Sequence, residues 1–150
     1  HNLPRINGCD EREGRQFAAQ AVNYRKGSLD MRIEGAYPPE ARVKSWKRSV
    51  RIDGKKKARV TITDSYELDT IAAPTPPMWV SAVKPDASIP GIIRLGNHGL
   101  YYPKNQAKAT VEDLEPLMDS HLKTMWNGPL YRIVLTLENK QKARITCYVE

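Results

Sequence analysis

The sequence predicts an all-β fold, an antiparallel two-layer β-sandwich with few or no helices. Three observations predict it. Apolar and polar residues alternate along Trp46-Lys47-Arg48-Ser49-Val50-Arg51-Ile52 and again along the ten residues Arg59–Leu68, the pattern of strands dry on one face and wet on the other. Asp53-Gly54 stands between those two runs and is a tight-turn signal. Prolines crowd the middle of the chain, at 38, 39, 74, 76, 77, 85, 90 and 103; they exclude long helices and confine several strands to edges.

Each element follows in order. Gln16–Tyr24 is a candidate strand, set off by Lys26-Gly27 from Ser28–Glu34, where Leu29, Met31 and Ile33 alternate. Residues 44–69 form the central hairpin. Its cations fall mainly on the outward face or at the tip, where Lys55-Lys56-Lys57 reads as solvated. Met78–Val83, Ile92–Leu95 and Ala107–Val111 are shorter strand candidates. Glu112–Thr124 carries Leu114, Leu117, Met118 and Leu122, but Pro116 interrupts it, and a loop with a turn of helix at most is expected. Leu130–Leu137 and Ala143–Val149 alternate, and the polar run Glu138–Lys142 between them reads as a hairpin loop. The whole is read as one domain, residues 1–150.

The chain has 150 residues and a formal net charge of +7, with an isoelectric point near 9.5. A basic surface suits polyanions. No apolar run approaches the roughly 18 residues of a membrane span. No signal-peptide pattern is present, so any export signal is expected outside these residues. Phosphate loops, dinucleotide fingerprints, nucleophile elbows and zinc-protease motifs are all absent. Nucleic acid is not an expected partner, because no known recognition module is legible.

A few residues stand out for chemistry. His98, in Leu95-Gly96-Asn97-His98-Gly99, lies in a glycine-flanked loop and is either a ligand-facing imidazole or a solvated turn residue. Tyr101-Tyr102-Pro103 is loop-like, so Tyr101 and Tyr102 are the better candidates for stacking on a sugar; Trp46 and Trp79 are expected in the core. Asp64 falls on the apolar face of its strand, where a carboxylate needs a partner. Arg48, inward on the facing strand, is the candidate, as a structural pair. Cys9 and Cys147 either meet, if the first and last strands are neighbours, or stay free thiols.

Three stretches carry a family resemblance: "HNLPRINGCDEREGRQFAA", "AYPPEARVKSWKRSVRIDGKKKARVTITDSYEL" and "LKTMWNGPLYRIVLTLENKQKARITCYVE". Together they resemble the carboxy-terminal β-sandwich region of the bacterial heparinase II/III-like polysaccharide lyases, along nearly the whole chain and most weakly over residues 74–108. The resemblance implies a supersandwich-like domain downstream of an α/α toroid, with an acidic, uronate-containing polysaccharide cleaved by β-elimination in the cleft between them. It implies export to the periplasm or beyond. The family's tyrosine and asparagine or glutamine come from the toroid, and its histidine from a Gly-His-x-His-x-Asp-like segment. None occurs here, so these residues are expected to be inactive alone and to support the cleft. His1-Asn2 matches a motif whose histidine helps hold a structural zinc in some members; its co-ligands would lie upstream, so no cofactor is expected with this chain alone. A free-standing carbohydrate-binding module and a structural interaction domain are the alternative readings.

Overall fold

A computed structural model describes residues 2–54 and 58–150. His1 and the Lys55-Lys56-Lys57 tip lie outside the described residues. The fold is an all-β sandwich of two unequal antiparallel sheets. The chain runs through β1 (Gln20–Arg25), β2 (Ser28–Arg32), β3 (Val43–Asp53), β4 (Arg59–Leu68), β5 (Met78–Ser81), β6 (Asp86–Ile89), β7 (Ile92–Leu95), β8 (His98–Tyr101), β9 (Ala107–Asp113), helix α1 (Ser120–Trp126), β10 (Tyr131–Leu137) and β11 (Lys142–Val149). Eight strands make the large sheet in the order β1-β2-β3-β4-β11-β8-β7-β6; β5-β10-β9 make the small one.

The predicted central hairpin is present. Its ladder runs from Val43↔Leu68 to Asp53↔Arg59, with one irregularity between Val43 and Ser45. The turn signal at Asp53-Gly54 leads into Lys55-Lys56-Lys57, which lie outside the described residues, and Asp53↔Arg59 is the last described pair on that side. Gly54 has φ +112°, a backbone state that glycine enters at little cost.

Three expectations are corrected. Glu138–Lys142 does not close a hairpin: β10 pairs with β5 and β9, whereas β11 pairs with β4 and β8. The polar loop carries the chain from one sheet to the other. Alternation shows that a strand has one dry face, and two strands facing one core from opposite layers carry the same signal. The segment around Pro116 holds more helix than one turn. Pro116 sits in a short 3-10 turn, and α1 starts afresh after it, with the Asp119 carboxylate accepting from the Leu122 N–H at 2.7 Å. Finally, His98 and Tyr101 lie in strand β8. The turns Pro90-Gly91 and Gly96-Asn97, with positive φ at both glycines, fold β6, β7 and β8 into a meander.

Two apolar clusters hold the layers. Between the sheets, Ile133 and Leu135 of β10 pack with Trp79, Ile93, Leu100, Ile145 and Cys147. Farther along the inner face of β3 and β4, Trp46, Tyr66 and Leu68 are covered by Ile6, Ile33, Tyr37 and Ala41. Those residues belong to the amino-terminal segment and its short 3-10 turns and not to the small sheet. Asn7 locks this cover. Its side chain donates to the carbonyls of Ala41 (2.8 Å) and Thr70 (2.9 Å) and accepts from the Ala72 N–H at 2.9 Å. It holds φ +50° before Gly8 at +79°, the conformation an Asn-Gly turn favours.

Inside the second cluster lies the predicted pair. Arg48 and Asp64 face each other across the β3–β4 ladder. Arg48 donates from Nε and Nη2 to the two carboxylate oxygens, both at 2.8 Å. The Trp46 indole N–H donates to Asp64 Oδ1 at 2.9 Å, and Arg48 Nη1 donates to the Asn2 carbonyl at 2.6 Å. Asp64 is 1% exposed and Arg48 6%. A buried, bidentate pair of this kind is costly to break and cheap to replace as a unit. Asp64→Ala is expected to destabilise the chain by about 3–5 kcal/mol in denaturant unfolding, since it strands a buried guanidinium. Arg48→Met with Asp64→Leu should recover part of that loss. About 1–3 kcal/mol should remain missing, because the Trp46 N–H loses its acceptor.

Candidate functional site

The three residues singled out for ligand contact do not converge. His98 begins β8 and is exposed, paired with Leu95 across the turn. Side chains alternate along a strand, so Tyr101 and Tyr102 point to opposite sides of the sheet. Tyr102 is buried in the core between the sheets. Tyr101 lies on the outer face, where its ring stacks on Tyr148 at 4.6 Å with 9° between planes. A Cβ at Gly99 would stand 2.9 Å from the Tyr101 ring, so the bare glycine makes room for it. The Arg59 guanidinium lies over the Tyr148 ring, 4.5 Å from its centre, and Arg59 is held by Glu150 at 2.6 Å. The Tyr101–Tyr148 stack and the Arg59 contact occupy ring faces that a stacked sugar would need.

The outer face of the large sheet is polar. The register places Arg32, Lys47, Ser65 and Arg144 in one row across β2, β3, β4 and β11. The next row holds Asp30, Ser49, Thr63 and Thr146, and the third Ser28, Arg51, Thr61, Tyr148 and Tyr101. Thr63 and Thr146 share a hydrogen bond at 3.1 Å, and the Ser49 hydroxyl donates to Asp30.

The second surface is apolar. Between α1 and the small sheet, Val80, Leu114, Met118 and Leu130 floor a groove of about 540 Å³, rimmed by Leu117, Leu122 and Trp126. Asn2 closes one end, its side-chain oxygen accepting from the Val80 N–H at 2.7 Å. Leu117, Met125 and Trp126 are exposed. The groove was not legible as such, because its wall is the helix that follows Pro116. The sequence signal that points to it is a helical spacing of apolar residues: Leu114, Met118 and Leu122 recur every four residues.

Among the described residues, no three His, Cys, Asp or Glu side chains gather as a metal would require; His1, the residue matched to the zinc motif, lies outside them. Cys9 and Cys147 are free thiols in different clusters. A scan against known protein-family models and a search among curated proteins each find no match to this chain.

Burial keeps several weak acids of the core neutral. It pushes the Cys147 thiol up to about 12, with the Asp64 charge adding to the effect. It also raises the Tyr66 phenol, and raises Tyr37 further with help from Glu11; the Tyr37 hydroxyl donates to the Pro4 carbonyl at 2.5 Å. A thiol in the unfolded chain ionises near ~8.5 and a phenol near ~10. The unfolded state therefore releases protons that the folded state retains, and stability falls as pH rises. Denaturant midpoints should hold steady between about pH 6 and pH 8 and decline from there toward pH 12. Cys147→Ala should remove the earliest part of that decline.

Proposed function

We propose that these residues are the non-catalytic carboxy-terminal β-sandwich portion of a heparinase II/III-like polysaccharide lyase, exported by its host and acting on an acidic, uronate-containing polysaccharide. β-Elimination requires a group to neutralise the uronate carboxylate, a base for the C5 proton and an acid for the leaving oxygen, all in one cleft. In this reading those groups come from the rest of the enzyme, and the sandwich supports the wall they close against.

The observation that carries the reading is a mismatch between the two sheets. One inner-face row of the large sheet runs Tyr24, Leu29, Val50, Ile62, Cys147 in register across five strands. It is buried at the Cys147 end, where the small sheet covers it. At the other end Tyr24 is 73% exposed, and Ile52 in the neighbouring row is 61% exposed. Every residue of β1 is exposed. Strands with apolar inner faces and nothing over them suit a sandwich whose covering layer comes from elsewhere in a larger protein. Covering side chains of this size contributes about 1.5–3 kcal/mol each. The apolar groove beside α1 supports the same reading, as a seat for a neighbouring domain such as the helical toroid.

Mixing separately expressed halves tests it. The 150 residues alone should generate no unsaturated uronate product from heparan sulfate or other uronate polysaccharides. Adding the region encoded immediately upstream should give a stable complex that does. Product formation by these residues alone, or an upstream region without a helical toroid, contradicts the reading.

A further inference from the structure

We propose that the outer face of the large sheet is a fixed binding platform for a linear acidic polysaccharide. The chain would lie across the strands along Ser49, Thr63 and Thr146, beside Lys47 and Arg144. The inference rests on the reading above and adds a defined site to it: glycan attraction is placed on one face instead of being spread over the whole basic surface.

The register makes the platform. Ser49, Thr63 and Thr146 stand side by side on three adjacent strands, spaced about 4.8 Å apart. The rows on either side lie two residues away along each strand, about 6.6–6.8 Å. The result is a shallow polar track of hydroxyls bordered on one side by Lys47 and Arg144, with the Asp30 carboxylate, which accepts from Ser49, marking its end at β2. Lys47 and Arg144 flank Ser65 in one border row. Arg32 is turned to Glu34 and Arg51 to Asp53, whereas Lys47 and Arg144 make no ion pair among the described residues. Both are exposed, as is Thr146, while Ser49 and Thr63 are half-buried, so the track is open to solvent at its Thr146 end. Free cations beside the track select an anion, and a row of hydroxyl donors and acceptors matches a hydroxyl-rich chain.

The aromatic geometry separates a glycan from a single-stranded nucleic acid. Binding of bases needs open ring faces on which they stack. On this face Tyr101 and Tyr148 stack on each other, and Arg59 lies over the Tyr148 ring.

Titration calorimetry on the full 150-residue chain tests the platform with two probes, an oligouronate of defined length and a heparin-type sulfated oligosaccharide. The two arms show whether carboxylate or sulfate is preferred. Lys47→Ser with Arg144→Ser should weaken binding about tenfold or more, as expected for the loss of two charged contacts. Lys84→Ser with Lys123→Ser removes two exposed cations, one beside the far edge strand β6 and one on α1, and should weaken it less than about twofold, since distant exposed charges are screened. Lys47→Arg with Arg144→Lys should bind like the parent, and unchanged thermal midpoints should show that all variants fold. Three results overturn the platform: neither probe binds, the control pair weakens binding as much as the face pair, or an oligothymidylate of equal charge binds as tightly. The lyase reading is tested separately by mixing the two halves, so a failed titration beside restored elimination removes the platform alone.

Discussion

The Arg48–Asp64 pair, roofed by the Trp46 indole, sets the register to which every other layer of this fold is keyed. It joins the two longest strands at one rung, and its satisfied geometry leaves no other register available. A one-residue slip of β3 against β4 would carry Arg48 to the outer face and strand Asp64 in an apolar cluster. The same group reaches outward through the fold. Arg48 holds the Asn2 carbonyl, Asn2 holds the Val80 amide of the small sheet, and Trp46 stacks on Tyr66 at 4.6 Å. Burial opposes the Arg48 charge, and the Asp64 hydrogen bonds and carboxylate outweigh that opposition.

Fixing the inner face also fixes the outer one, because side chains alternate. With Arg48 opposite Asp64, Lys47 must stand opposite Ser65, and Arg144 joins that row through the β4–β11 ladder. A buried pair on the inner face thereby sets which side chains stand together in the outer rows. The inner face is completed unevenly. Near Trp46 it is sealed by a segment that Asn7 ties down; over β4, β11, β8 and β7 it is sealed by the small sheet; toward β1 it is left open. The sandwich is thus finished at its centre and unfinished at one margin, as expected of a layer that borrows its cover.

Much of this was legible because two-residue periodicity is a direct image of burial. The hairpin 44–69, the strands at 28, 92, 107, 130 and 143, the core positions of Trp46 and Trp79, and the Arg48–Asp64 pair all follow from which side chains tolerate water. What escaped was relational. The loop at 138–142 looks the same whether it turns back within a sheet or crosses to another. Tyr101 and Tyr102 looked alike in a loop, but Tyr101 ends β8 on the outer face and Tyr102 just beyond it is buried in the core, and Gly96-Asn97 before His98 was the turn signal that places the strand. Asn7-Gly8 was a comparable signal, and its role as a clamp depends on carbonyls at 41 and 70 that no local pattern connects to it. The uncovered inner margin is a property of two sheets compared, and no single segment displays it.

Amide hydrogen exchange along β1 to β3 decides whether the open margin borrows its cover, comparing these residues alone with the same residues continuous with the region encoded upstream. Amides around Tyr24, Leu29 and Ile52 should slow by about tenfold or more in the longer protein, while those of β10 and β11, already covered, change little. Equal exchange at the open margin in both forms would show that the sheet needs no further layer, and would contradict its place in a larger enzyme.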